Sequence, residues 1–176
     1  MTLAAGIAIR IAGSEPVPAD VLTHAQRVAG GMFAHAGVRV TWVGCRTGLP
    51  DNPCAVPPAI GDLFLQILHL IPRKVTADAT GFAVLLPPDA GIAGYAAVSY
   101  PRVVAVAGEC DQDAPVVLGT SIAHEIGHLL LGPKSHSSGV MSPRLGCREL
   151  RQASRGELWF APNTARKIRA EVVRRR

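Results

Sequence analysis

The 176-residue chain is poor in aromatic side chains, at 5%, and its 13 acidic residues are outnumbered by 18 Lys and Arg. Few aromatics means no row of rings on which the bases of a single-stranded nucleic acid would stack. The scattered acids, Asp111 and Asp113 among them, do not assemble into a calcium loop, and calcium is otherwise left open. No run of apolar residues is long enough to span a bilayer. Met1 to Ala12 lacks a basic start, and Arg10 interrupts its apolar residues, so it does not read as a signal peptide. Cys45, Cys54, Cys110 and Cys147 include no close pair of the metal-binding kind, which argues against a structural zinc cluster.

What is present is a 48% apolar composition on a length that suits one domain, 1–176, with a substantial core. Ile7, Ile9 and Ile11 alternate with small or charged residues and predict a strand. Val17 to Ala36 carries helical spacing through Val21, Leu22, Ala25, Val28, Ala29, Met32 and Phe33. Val38 to Val43 predicts a second strand, and the proline-rich run from Pro50 to Pro58 a loop. Further strands are expected near Leu63 to Ile71, Gly81 to Leu86, and Tyr95 to Val106. Residues 1–110 would thus supply a sheet and a first helix, 113–132 a central helix, and 133–176 a turn region and a last helix opened by Pro162-Asn163. The last helix has one apolar stripe, Ala165, Ile168 and Val172, suited to packing behind the central one.

The central helix carries the chemistry. Asp113 and Pro115 mark its start and Gly132-Pro133 its end. Leu118, Ile122, Ile126 and Leu129 form a core face; Val117, Thr120, Ser121, His124 and His128 share a less apolar one. Residues four apart differ by about 40° around a helix axis, so His124 and His128 project from one face one turn apart, and two nitrogens can reach one metal ion. Glu125 lies beside such an ion rather than on it, placed to take a proton from a bound water. His136, after the Gly132 break, supplies a third imidazole, and three ligands leave a position for water. By chance, a His-Glu-x-x-His of this kind would occur in roughly 1% of chains of this composition or fewer, and the flanking helix signals lower that further.

The stretch from His124 to Pro143 resembles the active site of the metzincin zinc endopeptidases, most of all the matrixin branch. That resemblance rests on His124-Glu125-Ile126-Gly127-His128, Gly132, His136 and Val140-Met141-Ser142-Pro143. It implies one catalytic Zn2+ held by His124, His128 and His136, Glu125 as general base, and Met141 packing beneath the imidazoles. It also implies an α+β domain with a twisted mixed sheet of about five strands, a backing helix, an active-site helix and a C-terminal helix. The similarity extends over most of the chain, but only 124–143 is specific. One departure stands out: Gly132 and His136 lie four and eight residues past His128, where the family has three and six. Eight extended residues reach more than twice the roughly 12 Å that the return requires, so the longer connection still closes. Glu149 is the alternative third ligand, in the manner of zinc peptidases that take a glutamate from a later helix.

Gly94 to Pro101 falls where the family's sheet has its edge strand, so Gly94, Tyr95 and Ala96 are candidate contacts for an extended peptide or protein substrate added as a strand. Arg144, beyond the methionine, is a candidate for contacting the residue after the cleaved bond. Of the three possible disulfide pairings, Cys45 with Cys54 and Cys110 with Cys147 is preferred, and oxidised cysteines imply an extracytoplasmic or secreted protein. From Lys134 onward there are 11 basic and 3 acidic residues. The terminal cluster of Arg166, Lys167, Arg169, Arg174, Arg175 and Arg176 reads as a solvated helix face rather than a nucleic-acid surface. A monomer is expected. Two rivals to a peptidase remain: a non-catalytic, zinc-stabilised peptide-binding module, and a cytosolic nucleic-acid-associated regulatory protein.

Overall fold

The computed structural model describes residues 5–14, 16–46, 48, 51–56, 61–71, 73, 76, 79–87 and 94–175. Strand β1, Ala5–Ala12, alternates as the isoleucines require: Ile7, Ile9 and Ile11 point into the core. On its opposite face Arg10 is also buried, bonded to Asp62 at 2.8 Å and to the carbonyl of Val56 at 2.9 Å. Helix α1, Ala19–His35, follows, burying Ala25, Ala29, Met32 and Phe33, and leads into β2, Val38–Gly44. A single 3-10 turn, Pro53–Ala55, lies within the proline-rich run, of which Pro50, Pro57 and Pro58 are outside the described residues. Strands β3 (Leu63–Leu68), β4 (Gly81–Leu85) and β5 (Gly94–Ser99) complete a five-stranded sheet of order β2-β1-β3-β5-β4. All its pairings are parallel except β4 with β5. The result is the α+β domain with a mixed five-stranded sheet that the sequence suggests.

Two expectations are corrected. The strand drawn from Tyr95 to Val106 stops at Ser99, and helix α2 takes over from Tyr100 to Cys110. Pro101 sits in its first turn, where a fixed φ and a missing N–H cost nothing, and Val103, Val106 and Ala107 recur at helical spacing toward the core. The second correction concerns the edge. β5 is paired on both sides, by β3 and β4, so Gly94, Tyr95 and Ala96 lie inside the sheet; the antiparallel edge is β4.

Helix α3, Ala114–Leu131, runs through the middle of the molecule, packed on α1 and beneath β5 and β4. Asp113 occupies its N-cap position without a side-chain cap bond, Pro115 lies in the first turn, and Gly132, at φ 96°, ends it. Both faces are buried, from Val116 to Leu130, so the histidine face is not the solvent face. By length and composition α3 is apolar enough to cross a membrane, but 83% of it is buried within the fold, as befits a core helix. After it come α4, Cys147–Ser154, which the sequence expectations did not include, and α5, Pro162–Arg174. α4 offers only Leu150 and Ala153 to the core, too short a pattern to stand out. α5 packs behind α3 through Ile168 and Val172, and the Arg175 guanidinium just past its end donates to the Leu129 carbonyl at 2.9 Å. Glu171 in turn pairs with Arg174 and Arg175, so part of the terminal basic cluster is engaged within the helix itself.

Both preferred disulfides are present, Cys45–Cys54 and Cys110–Cys147. The second joins the end of α2 to the start of α4, 37 residues apart, and closes a loop that contains α3, His136 and Met141. A cross-link of that span contributes about 4 kcal/mol by restricting the unfolded chain.

Candidate metal centre

Helix α3 and the segment that returns from Gly132 build the site together. The Nδ1 of His124 faces the Val140 carbonyl at 2.8 Å; a carbonyl only accepts, so this nitrogen carries the proton and donates it. The Nδ1 of His128 faces the Gly132 carbonyl at 3.3 Å and the Ser135 hydroxyl at 3.1 Å. Both imidazoles therefore hold their hydrogen on the outer nitrogen and turn a bare Nε2 inward. The two Nε2 atoms lie 3.1 Å apart. Two lone pairs facing each other at that distance inside a protein call for a cation between or beside them.

His136 completes the group. Its ring centroid is 5.6 Å from that of His124 and 4.8 Å from that of His128, and one nitrogen from each of the three lies within 4.8 Å of the others. His124 and His128 are buried, whereas His136 is exposed. The longer connection thus brings the third histidine back to the helix. Glu149 is elsewhere: its carboxylate accepts from the Gly146 backbone N–H at 3.1 Å and from Arg148 at 2.8 Å, closing the first turn of α4. Burial alone would raise its pKa, but the Arg148 and backbone bonds outweigh this and hold the carboxyl below its usual range.

Burial draws His124 down to about 4, with the Val140 bond opposing and His128 and His136 assisting. Burial also lowers His128, partly offset by the Gly132 carbonyl. Glu125 is pushed up to about 8 by burial. Its side chain lies against the start of β4: a Cβ added at Gly81 would come 2.9 Å from Glu125 Cγ and 3.2 Å from Oε1. The edge strand that runs past the carboxyl group is consequently β4, not the Gly94 to Ala96 strand expected to meet an extended substrate.

Met141 is fully buried, and its sulfur lies where a side chain at Gly127 would have to be, so the glycine inside the histidine motif admits the turn against α3. Gly139 to Ser142 forms a hydrogen-bonded turn, with Ser142 N–H donating to the Gly139 carbonyl at 2.9 Å. Val140 N–H donates to Trp159 and Ser137 N–H to Met141, which tether the turn on both sides and hold the Val140 carbonyl toward His124. Sequence reasoning quoted Gly127 without a role and missed Val140 and Ser135 as partners of the imidazoles. A backbone carbonyl leaves no signature in side-chain types, and a lone serine after Gly-Pro reads as loop.

These shifts give the metal-free protein a specific pH response. Between 4.5 and about 8 the folded chain keeps a proton on Glu125 that the unfolded chain has released, so stability falls as pH rises. Between about 4 and 6.5 the unfolded chain binds a proton at His124 that the folded chain does not, so stability rises with pH. The two oppose each other below 6.5; above it Glu125 acts alone. Metal-free protein should lose about 2 kcal/mol between pH 6.5 and 8, at about 1.4 kcal/mol per pH unit, and Glu125→Gln should abolish that loss. Denaturant titrations at the two pH values measure it; equal losses in both proteins would show that Glu125 is not the group responsible.

No family model and no curated protein matches the sequence. Among solved structures, the zinc-dependent peptidase from Methanocorpusculum labreanum (strain Z) is similar over 93% of this chain and 100% of that one, with 18% identity and a TM-score of 0.54. At that identity the likeness is one of fold.

Proposed function

We propose that this protein is a zinc-dependent peptidase of the metzincin type, hydrolysing peptide bonds by attack of water with Glu125 as general base and His124, His128 and His136 as the ligands of one zinc ion. The observation that carries this reading is the pair of inward Nε2 lone pairs 3.1 Å apart on α3, joined by a third imidazole. Three neutral imidazoles are a donor set zinc accepts, with a fourth position left for water. When bound, zinc lowers the pKa of that water to about 7 and polarises a carbonyl oxygen.

The chain's own groups supply the rest. Glu125 takes a proton as the water oxygen bonds to the scissile carbonyl carbon, then delivers it to the amine nitrogen as the carbon–nitrogen bond breaks. Burial raises the proton affinity of the Glu125 carboxyl in the metal-free protein, which favours its holding a transferred proton. Among the described residues β4 is paired on one side only, and it starts at Gly81 beside Glu125. An extended peptide added to that free edge would have its backbone aligned next to the base. Met141 packs against α3 at Gly127, one residue before the second histidine, and would support the helix there. The likeness in fold to the zinc-dependent peptidase of Methanocorpusculum labreanum supports the same activity, and the two disulfides support an extracytoplasmic location.

The protein is expected to bind one zinc per chain and to cleave an unfolded protein, with a chelator removing both properties and added zinc restoring them. Metal analysis beside a gel-based digestion assay tests this. Stoichiometric zinc with no cleavage of any unfolded substrate would instead favour the non-catalytic peptide-binding module.

A further inference from the structure

The connection from His128 to His136 is where this chain departs from the spacing it resembles, and it carries a side chain that touches the second histidine. Ser135, the residue just before the third histidine, donates its hydroxyl proton to the Gly132 carbonyl and presents its oxygen to His128 Nδ1 at 3.1 Å. Because that proton is committed to a carbonyl, the hydroxyl oxygen can only accept from the ring. The Gly132 carbonyl also accepts from the same nitrogen, but at 3.3 Å, at the long end for such a bond. The serine therefore supplies the shorter of the two contacts that hold the His128 hydrogen on Nδ1. His124, by comparison, has a single short partner, the Val140 carbonyl.

We infer that Ser135 is a positioning residue: it fixes the tautomer and ring orientation of His128 so that Nε2 is bare and aimed at the point where the three imidazoles meet. The inference rests on the zinc reading above for its purpose, but not for its geometry. Without the hydroxyl, the His128 ring keeps only the weaker carbonyl contact and is free to rotate or to move its hydrogen to Nε2, the atom that must coordinate. Outer groups that orient metal-binding imidazoles are worth about 10- to 100-fold in metal affinity.

The test uses the full chain and its Ser135→Ala and Ser135→Thr variants. In metal-free protein, nitrogen–proton correlation NMR of the imidazoles should show His128 protonated on Nδ1 in wild type and Ser135→Thr, and a mixture of tautomers in Ser135→Ala, with His124 unchanged in all three. Zinc affinity, measured by competition with a chromogenic chelator, should weaken about 10- to 100-fold in Ser135→Ala and recover in Ser135→Thr. A purely structural serine would leave the His128 tautomer as it is. Wild-type binding of zinc with equal affinity in Ser135→Ala, or an unaltered His128 tautomer, overturns the assignment of Ser135 and leaves the peptidase reading intact. Failure of the wild type to bind zinc at all would overturn both.

Discussion

Glu125→Gln is expected to lower the turnover number by a hundredfold or more while the protein keeps its zinc. Glutamine has the same shape, so it fits against the start of β4, where the absence of a Cβ at Gly81 leaves room for the side chain at 125. What it lacks is a site that can take a proton from water and return it to the departing amine, and general acid–base contributions of this kind are worth about 10²- to 10⁴-fold. The substitution also removes an ionisable group, so any rise of activity with pH that reports Glu125 should vanish from the residual rate. KM should change little, because the amide neither blocks the β4 edge nor alters the imidazoles. Turnover measured on a quenched peptide, with metal content determined on the same sample, separates these outcomes. Unchanged turnover would remove Glu125 from the mechanism; lost zinc would mean that the carboxyl supports the metal rather than the water.

The central helix was legible because its information is local. Pro115 and Gly132 bracket it, and the four-residue spacing of His124 and His128 settles their shared face once the segment is helical. The third histidine is suggested by the helix break at Gly132 and by the resemblance, but nothing in Gly-Pro-Lys-Ser fixes the path after the break; the tethered Gly139 to Ser142 turn accompanies its return. What could not be read was non-local. The order β2-β1-β3-β5-β4 is fixed by crossovers over the sheet, so the resemblance places the edge at β5 when β4 holds that place. Likewise Val103, Val104 and Val106 favour a strand by intrinsic preference, and only the burial of Val103, Val106 and Ala107 at helical spacing against the core, following Pro101, makes α2 a helix. The histidine-bearing face of α3 is the less apolar one in sequence, carrying Thr120 and Ser121, yet it is buried. Both hydroxyls donate back to carbonyls one turn earlier, Val116 and Val117, which lets a polar face be buried.

His136→Ala is expected to weaken zinc binding by well over a hundredfold, more than loss of an orienting group such as Ser135 would. The comparison of burial makes this a clean experiment. His124 and His128 are embedded in the core helix, so their removal would open cavities and confuse loss of metal with loss of structure. His136 is exposed, on a segment held by the Gly139 to Ser142 turn and enclosed by the Cys110–Cys147 cross-link, so the metal-free variant should unfold at the same denaturant concentration as metal-free wild type. Glu149→Ala is the matching control. The Glu149 carboxylate is engaged by the Gly146 N–H and by Arg148, and its removal should cost α4 a capping bond while leaving zinc affinity at the wild-type value. Chelator competition on the two variants therefore decides between the ligand sets, since zinc lost from Glu149→Ala but retained by His136→Ala would require a glutamate in the third position and a different closure of the site.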